Sequence, residues 1–579
     1  MSRNAVNHDL KLTKTILFFS ITLFLACFAD LTWGQASYES LLGQLRGSGS
    51  FDMSAVPDRA VQAPAASALA PDDKTALIAG FRERLIGQVS SNWHHPSRID
   101  DAIVKELGEA WSQGILEPVI VGVLSDPRLA RFFPEGAKMS PEEAARMFSL
   151  YVGAELESNG HVPGVAPIEG WDAMTDRHLA MVRSGAYEPR RRGQPSLLRE
   201  PGFMAELAAL QGTPFSEGSR ITPLIEGAAS FGKRAELIRA AKKSVFLTTW
   251  AFYDDETGHH TADLLIEKKR QGLDVRLMID KDTAGLYDKG VLAKMERAGI
   301  PVLRYQPAAK NYYEFHSKIL ITDGRYAVLG GMNIGNVYSH MAGSGRWRDV
   351  DVLVQGPVMR DALRFFAQAW NAQAAADGVA VRADAAAYDG DAAGSAPAAI
   401  VWNAPGEEPY ILLSMLKAVY GATERINIEN AIIVMLPAMH QALMDARARG
   451  VEVNILSNSL ETIGDKMMGA MILGSFPELI RAGANVYLKE GGLDTRLHSK
   501  TMTVDGVYGS VGSFNLQPRS IRYVMEVAAN FSDRAAVAEL DASFGRAIAK
   551  AKRARKARDL DIPYMPVKDL VHRLMFNQL

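Results

Sequence analysis

An internal duplication constrains this chain more than any other feature. Two stretches of sequence repeat helix-like segments that end at a glycine and lead into short apolar segments typical of strands. The matched glycines lie 178 and 184 residues apart, as Gly272 with Gly450 and Gly299 with Gly483. A glycine after a helix supplies the left-handed backbone that often ends one. The near-constant offset indicates two copies of one structural unit.

Helices and strands alternate within each copy. The strand-like segments fall at 244–250, 275–279 and 301–305 in the first copy and at 425–429, 451–456 and 485–488 in the second. Because a helix separates successive strands, we expect an α/β fold of two repeated α-β-α halves with mixed, mostly parallel sheets. A mainly helical N-terminal region precedes the two halves.

The beginning of the chain is typical of an export signal. Positively charged residues precede an apolar run of thirteen residues from Ile16 to Phe28, and small residues follow it. The run is shorter than the ~20 residues that span a bilayer as a helix, and its pattern is that of a signal peptide. We therefore expect export, to the periplasm or to a membrane surface. Lipid attachment at Cys27 and an uncleaved N-terminal anchor stay open as alternatives.

Composition and patterning give a provisional division of the chain. Residues 37–75 and 374–399 are rich in small and turn-forming residues and are interpreted as linkers. The predicted division is a signal peptide or anchor at 1–36, a linker at 37–75, a helical region at 76–215, a first repeated domain at 216–373, a linker at 374–399 and a second repeated domain at 400–579.

A short motif, H-x-K-x4-D, recurs at the same place in both copies. The two histidines lie 182 residues apart, and a small residue and an asparagine follow each motif at equal distances. A single copy of so short a pattern has a high chance rate, whereas two copies with matching surroundings are hard to explain as packing. The candidate residues are His316, Lys318, Asp323, Gly331 and Asn333 in the first copy and His498, Lys500, Asp505, Ser513 and Asn515 in the second.

These residue types suit the cleavage of a phosphodiester. Alternate side chains of a strand share a face, so each histidine is expected to point the same way as the lysine two residues later. We expect the motifs on adjacent strands at the interface of the halves, with His316 and His498 facing each other across a phosphate-sized gap. One imidazole can attack phosphorus. The other can protonate the leaving oxygen and then deprotonate the acceptor.

Positive charge for the same reaction is available from the motif itself. The two lysines, with the two asparagines, are placed to stabilise the charged oxygens of the transition state. We therefore expect no metal and no other cofactor. The single cysteine of the chain also excludes a disulfide framework and a cysteine-based zinc site.

The duplicated motif resembles the signature of the phospholipase D superfamily over about residues 221–550. The runs at 330–335, 347–349 and 512–520 are similar, more narrowly, to those of bacterial cardiolipin synthases and related phosphatidyltransferases. The resemblance implies that an acidic residue downstream of each motif orients the histidine of the other half. The matching positions are Asp349 and Glu526, with Asp351 a rival for the first. The resemblance also implies that His316 is the nucleophile and His498 the general acid and base.

The sequence therefore predicts an enzyme that acts on membrane phospholipids by phosphatidyl transfer or by hydrolysis. The acceptor is an alcohol, either glycerol or a lipid headgroup, or water, and transfer of the cardiolipin synthase kind is favoured. A secreted phosphodiesterase or nuclease with the same site and a non-catalytic lipid-binding module are the alternatives. With 64 Lys+Arg against 66 Asp+Glu the net charge is −2, which does not suit a nucleic-acid binder. No nucleic acid partner is expected, and no obligate protein partner is evident.

Overall fold

The computed structural model describes residues 71–91, 96–126, 141–163, 167–288, 290–306, 313–341, 345–384, 390–563 and 576–578. The predicted signal peptide at 1–36 and the predicted linker as far as residue 70 lie outside these residues. Among the helices that are described, none is both long and apolar enough to cross a bilayer.

The described residues divide into two compact units, of which the smaller contains those up to Ala173, residues 465–470 and those from Pro563 onward. Its described part is helical, as predicted. The helices are α1 (Pro71–Ser91), α2 (Pro96–Ser112), α3 (Leu116–Leu124) and α4 (Pro141–Ser158). They bury a set of apolar side chains that includes Phe81, Val104, Leu107, Val119 and Val152.

The larger unit contains residues 174–464 and 471–562. Helix α5 (Trp171–Arg183) leads into it, and helix α6 (Pro201–Leu210) belongs to it. The sequence had placed this stretch in the helical region that ends at residue 215. Phe203 of α6 is fully buried, and the ammonium of Lys417 lies 4.7 Å from its ring centroid. Lys417 also donates a hydrogen bond of 2.7 Å to Glu206, which ties α6 to the repeated halves.

The first half contains strands β1 to β8 and helices α7 to α12. The strands are β1 (Ser216–Ile225), β2 (Ser244–Thr249), β3 (Asp274–Asp280), β4 (Val302–Tyr305), β5 (Glu314–Phe315), β6 (Ile319–Thr322), β7 (Tyr326–Gly330) and β8 (Val350–Gln355). The helices are α7 (Glu226–Ala240), α8 (Glu256–Arg270), α9 (Lys281–Tyr287), α10 (Val291–Arg297), α11 (Asn336–Ser339) and α12 (Met359–Ala376).

The second half contains strands β9 to β16 and helices α13 to α19. The strands are β9 (Ala396–Asn403), β10 (Arg425–Asn430), β11 (Glu452–Asn458), β12 (Asn485–Lys489), β13 (Lys500–Val504), β14 (Tyr508–Gly512), β15 (Val524–Phe531) and β16 (Ala551–Ala554). The helices are α13 (Tyr410–Gly421), α14 (Pro437–Ala448), α15 (Leu460–Ile463), α16 (Lys466–Gly474), α17 (Pro477–Arg481), α18 (Pro518–Arg522) and α19 (Arg534–Ile548).

The strands of the described residues form one 16-stranded sheet, and its order repeats the duplication. Outward from the join between β1 and β9, the first half runs β1-β8-β7-β6-β2-β3-β4 and the second runs β9-β15-β14-β13-β10-β11-β12-β16. The two halves therefore have the same strand order, with β16 as an extra edge strand. The short strand β5 is off this path and pairs with β15.

The predicted α/β fold with a mixed sheet is confirmed. Within the main path, parallel pairing is confined to β2-β3-β4 and β10-β11-β12, and the other neighbours pair antiparallel. The parallel strands are those joined by helices, which a parallel connection requires. Each strand that carries a motif is instead joined to the next strand by a tight turn, as β6 to β7 and β13 to β14. Parallel pairing is thus a smaller part of the sheet than the sequence suggested.

The two motif strands, β6 and β13, are not adjacent in the sheet, which corrects the prediction. Six strands separate them along the path, because the halves join through β1 and β9. The halves approach instead through a shared core. Apolar side chains of β6, β7 and β8 pack in one cluster with those of β9, β14 and β15, such as Leu329 and Val352 with Ile400, Val511 and Val527.

Candidate active site

Backbone hydrogen bonds exchanged between the halves position both motif histidines. The N–H of His316 donates to the carbonyl of Met525 at 3.0 Å, and the N–H of His498 donates to the carbonyl of Arg348 at 2.8 Å. Each bond ends on the residue just before the downstream acid of the opposite half. Both histidines precede their strands, since β6 begins at Ile319 and β13 at Lys500. They were expected within the strands.

The imidazole of His316 is held by a carboxylate of the second half. Its Nδ1 lies 2.9 Å from Oε2 of Glu526. The hydroxyl of Ser513 donates to the same carboxylate oxygen at 2.5 Å, and the hydroxyl of Ser520 donates to Oε1 at 2.9 Å. Glu526 is fully buried, and that burial raises its pKa to about 7. Two hydroxyl donors favour the ionised form, which the Nδ1–H of His316 needs as its acceptor.

The imidazole of His498 is held in the same way by the first half. Its Nδ1 lies 2.7 Å from Oδ2 of Asp349, whose Oδ1 accepts the N–H of Val350 at 2.8 Å. The rival acid, Asp351, instead accepts hydrogen bonds from Ser230 at 2.5 Å and Arg234 at 2.8 Å. The structure thus places Asp349, and not Asp351, against the histidine.

Gly331 and Ser513 occupy matched positions behind the two carboxylates. A Cβ on Gly331 would lie 2.2 Å from Oδ1 of Asp349, so only glycine permits this approach. At the matched position Ser513 has room for a side chain and uses it to donate to Glu526. The residue behind the carboxylate therefore differs between the halves, although each carboxylate holds an imidazole.

The Nε2 atoms of the two histidines are buried and make no hydrogen bond within the protein. Both side chains are about 3% exposed. Buried polar atoms are almost always hydrogen-bonded, so two free ring nitrogens in one buried site indicate a place prepared for a substrate. With Nδ1 bound to a carboxylate, Nε2 is the nitrogen that carries the free lone pair.

The two lysines of the motifs are also buried in this site. Each ammonium donates to the carbonyl of its own histidine, Lys318 to His316 and Lys500 to His498. Burial lowers the pKa of Lys318 well below its usual range and that of Lys500 to about 8. The charge of Lys500 also lowers the pKa of Lys318, and an anion bound between the two ammonium groups would stabilise both.

The two asparagines are not equivalent. The amide of Asn333 donates to the hydroxyl of Tyr338 at 2.9 Å, and its oxygen accepts the N–H of Ala251 at 3.3 Å. Asn515 is buried, and its Oδ1 has no hydrogen-bond partner. Asn515 is thus the asparagine with free hydrogen-bonding capacity at the site.

The last residues of the motifs, Asp323 and Asp505, were predicted among the catalytic residues, and the structure places both at the far ends of the motif strands. Both adopt a positive φ of 52°. Asp323 accepts the backbone N–H groups of residues 242–244, and Asp505 accepts those of residues 423–425. Their carboxylates tie the motif strand to the start of the neighbouring strand, and they do not contact the histidines.

Several further residues contact the site that were not among the predicted site residues. Trp250 lies with its ring centroid 5.8 Å from His316, and Tyr338 and Trp347 lie 5.1 and 5.7 Å from His498. Arg348, whose carbonyl holds His498, is fixed by Glu429 through two hydrogen bonds of 2.8 and 3.0 Å. Trp347 and Arg348 belong to the run at 347–349 that resembles cardiolipin synthases, and that resemblance was their signal in the sequence.

The described residues contain no group of three or more His, Cys, Asp or Glu side chains that could hold a metal ion. Positive charge at the site comes from Lys318 and Lys500. Cleavage of a phosphodiester requires an attacking atom, a proton donor and stabilisation of the equatorial oxygens. The free imidazoles and the two ammonium groups are of the types that these roles need.

Comparison with known proteins agrees with this geometry. The profile of the family described as "Cardiolipin synthase, PLD-like domain" matches residues 235–370 and 415–548, one segment in each half. Each matched segment carries one copy of the H-x-K-x4-D motif, so both halves of the chain are similar to domains of the phospholipase D superfamily. Members of this superfamily are enzymes that cleave or transfer phosphodiesters, and both copies of its motif are intact here.

Similarity to individual members supports the same placement. A cardiolipin synthase of Oceanobacillus iheyensis is 28% identical over 373 residues, which cover 62% of this chain and 75% of that protein. Cardiolipin synthase A of Pseudomonas fluorescens is 27% identical over 406 residues, covering 68% and 79%. The crystal structure of phosphatidylserine synthase from Haemophilus influenzae aligns with a TM-score of 0.52 at 15% identity, over 64% of this chain and 96% of that one, and shows the shared fold.

The structural assignment of Asp505 can be tested by removing its side chain. Asp505→Ala deprives three backbone N–H groups of their acceptor, so we expect a loss of about 1–3 kcal/mol in the free energy of unfolding. Turnover by the folded fraction should not change. Asp505→Asn is the matched control, because asparagine keeps an acceptor and tolerates a positive φ. Urea unfolding and activity at saturating substrate measure the two effects. A folded Asp505→Ala enzyme without activity would return Asp505 to the catalytic set.

The pKa values at the site predict a narrow pH optimum. The rate constant kcat/KM should rise as Glu526 ionises, with a pKa of about 7, because only the carboxylate accepts the Nδ1–H of His316. It should fall towards higher pH as His498, the predicted proton donor, and Lys500, with a pKa of about 8, lose their protons. Ser520→Ala removes a donor to Glu526 and should shift the acidic limb to higher pH. A flat profile across about pH 5–9 would contradict this reading.

Proposed function

We propose that the chain is a phosphatidyltransferase or phospholipase D that cleaves the phosphodiester of membrane phospholipids through a covalent phosphohistidine intermediate. The observation that carries the proposal is the pair of buried imidazoles. Each is held at Nδ1 by a carboxylate of the opposite half, and each has a free Nε2 beside a buried lysine. Transfer of the cardiolipin synthase kind is favoured, because the relatives are named as such enzymes.

In the first step, Nε2 of His316 attacks phosphorus while the bond from phosphorus to the headgroup oxygen breaks. His498 gives a proton from Nε2 to that leaving oxygen. Glu526 stabilises the imidazolium that forms on His316 through the hydrogen bond to its Nδ1. Asp349 keeps His498 in the orientation that presents Nε2. The substrate class is a membrane phospholipid, and the leaving group is its headgroup alcohol.

In the second step, His498 acts as a base and removes a proton from the incoming alcohol or water. The acceptor oxygen binds phosphorus, and the bond to His316 breaks. The ammonium groups of Lys318 and Lys500 stabilise the phosphoryl oxygens in both steps. The buried histidines and their aromatic neighbours limit the access of water, which favours transfer to a glycerol or lipid headgroup over hydrolysis.

We also propose that the protein acts outside the cytoplasm, in the periplasm or at a membrane surface. The support is the charged and apolar pattern of residues 1–36, which is typical of a signal peptide or an N-terminal anchor. The placement fits a phospholipid substrate. Mass analysis of the N-terminus of the protein purified from its native cells would distinguish cleavage, lipid attachment at Cys27 and a retained anchor.

Incubation of the purified protein with phosphatidylglycerol vesicles tests the reaction directly. We expect a diphosphatidyl lipid and free glycerol for transfer, or phosphatidic acid for hydrolysis, with products read by mass spectrometry. A chelator should not abolish activity, since the lysines supply the positive charge. The same vesicles with added phosphatidylethanolamine or phosphatidylcholine report the donor. A folded, monodisperse protein that releases no headgroup from any of these lipids would contradict the proposed function.

Substitution of the histidines tests the division of labour. His316→Asn should abolish release of every leaving group, because no nucleophile remains. His498→Asn should slow ordinary lipids by about 10²–10⁴-fold and should still release a good leaving group, such as nitrophenolate, which needs little protonation. The adduct should then accumulate on His316. His440→Asn, on helix α14, is the matched control. An adduct on His498 in the His316→Asn enzyme would reverse the assignment.

A further inference from the structure

The two copies carry opposite charges at one matched position beside the histidines. Glu314 lies two residues before His316, and Arg496 lies two residues before His498, with the same offset of 182. Their backbones are equivalent, because Phe315 pairs with Met525 and Leu497 forms a bridge with Arg348. A carboxylate in one half therefore replaces a guanidinium in the other at the same place.

A second matched pair differs in the same direction. Oδ2 of Asp280 accepts the N–H of Phe315 at 3.0 Å, and Oδ1 of Asn458 accepts the N–H of Leu497 at 3.0 Å. Both residues end the middle parallel strand of their half, and both are buried. The same hydrogen bond is thus made by a carboxyl group near His316 and by an amide near His498. Burial raises the pKa of Asp280, so the larger share of the charge difference comes from Glu314.

The charged groups that face His316 come from several elements. Glu526 of β15 holds Nδ1, and Lys318 and Lys500 approach from the two motifs, so burial and the lysines lower the pKa of His316. Glu314 acts in the opposite direction and raises it. Arg519 of α18 lies 2.9 Å from Glu314 and offsets part of this effect.

No carboxylate stands two residues before His498, where the chain has Arg496 instead. Asp349 holds Nδ1, while burial, Lys500, Lys318, His316 and Arg496 all lower the pKa of His498. The guanidinium of Arg496 donates to the carbonyls of Thr462 and Ile463 and lies 5.1 Å from the ring centroid of Trp347. These contacts hold the charged guanidinium of Arg496 in place beside Trp347.

We propose that Glu314 and Arg496 are positioning residues that give the two otherwise equivalent histidines different roles. The inference rests on the proposed covalent reaction. The imidazole that attacks phosphorus becomes a phosphoimidazolium and keeps a positive charge for the life of the intermediate, which Glu314 stabilises at His316. The other imidazole must release its proton to the leaving oxygen and then remain neutral until the acceptor arrives. Arg496 favours the neutral form of His498 in both situations.

The bond changes balance in each direction. As the bond from Nε2 of His316 to phosphorus forms, the bond from phosphorus to the headgroup oxygen breaks, and that oxygen takes the proton of His498. In the second step the proton of the incoming alcohol passes to His498. The acceptor oxygen then replaces His316 on phosphorus, and both imidazoles return to their starting states.

Site-resolved titration of the two histidines tests this inference without any lipid substrate. Carbethoxylation by diethyl pyrocarbonate requires a neutral imidazole, so its rate at each histidine, read by peptide mass spectrometry across pH, reports that residue's protonation. We expect His316 to titrate at higher pH than His498. Glu314→Gln should lower the His316 value and Arg496→Gln should raise the His498 value. A shift of one pH unit gives about a tenfold change in rate at a fixed pH below both values.

Conservative variants separate charge from structure. Glu314→Asp and Arg496→Lys keep the charge and should restore the wild-type order. Asp280→Asn copies the residue that the second half uses at the matched position, so it should fold and produce a small shift at His316 alone. The inference would be overturned if both histidines titrated at the same pH or if His498 titrated at higher pH than His316. It would also be overturned if the Glu314→Gln and Arg496→Gln variants left both titrations unchanged.

A catalytic arm separates this inference from the proposed function. With a nitrophenyl phosphodiester and an alkaline quench, the adduct should form on His316, and Glu314→Gln should lower its yield more than Glu314→Asp does. An adduct on His498 would overturn the role assignment. If no lipid and no model diester is cleaved, the proposed function fails, and the titration order still decides whether Glu314 and Arg496 set the histidines apart.

Discussion

Two buried hydrogen bonds between an imidazole and a carboxylate, each crossing from one half to the other, are the interactions on which the site depends. His316 is oriented by Glu526 and His498 by Asp349, at 2.9 and 2.7 Å. If the halves separated, each carboxylate would lose the imidazole that it holds. Losing one member of a buried ion pair commonly lowers the free energy of unfolding by several kcal/mol. The duplication therefore creates the site, because neither copy contains a complete histidine and acid pair.

Much of this arrangement could be predicted from matched spacing. The 182-residue offset located the histidines and lysines, and the resemblance located Asp349 and Glu526. The positions of β6 and β13 in the sheet could not be predicted, because strand neighbours depend on pairings between distant segments that leave no local pattern. The signature could not distinguish the roles of Asp323 and Asp505, since a recurring residue that serves the fold looks the same in sequence as one that serves catalysis.

The differences between the copies were present in the sequence but needed the fold to be interpreted. Gly331 and Ser513 stand at one matched position, and Asp349 and Glu526 stand at another. The structure connects these differences: the shorter acid lies against a glycine with no room for a Cβ, and the longer acid receives a hydroxyl from a serine. Each half thus holds its buried carboxylate with a different pair of residues.

Charge balance explains how so many ionisable groups can share one buried place. With both imidazoles neutral, the two lysines and the two carboxylates sum to zero, and the desolvation cost of each ion is offset by its neighbours. Burial nevertheless lowers the lysine pKa values and raises those of the carboxyl groups, which indicates that the offset is incomplete. A phosphodiester brings one negative charge into this balance. One proton taken up with the substrate would restore neutrality, and binding of the anion raises the pKa of both imidazoles for this reason.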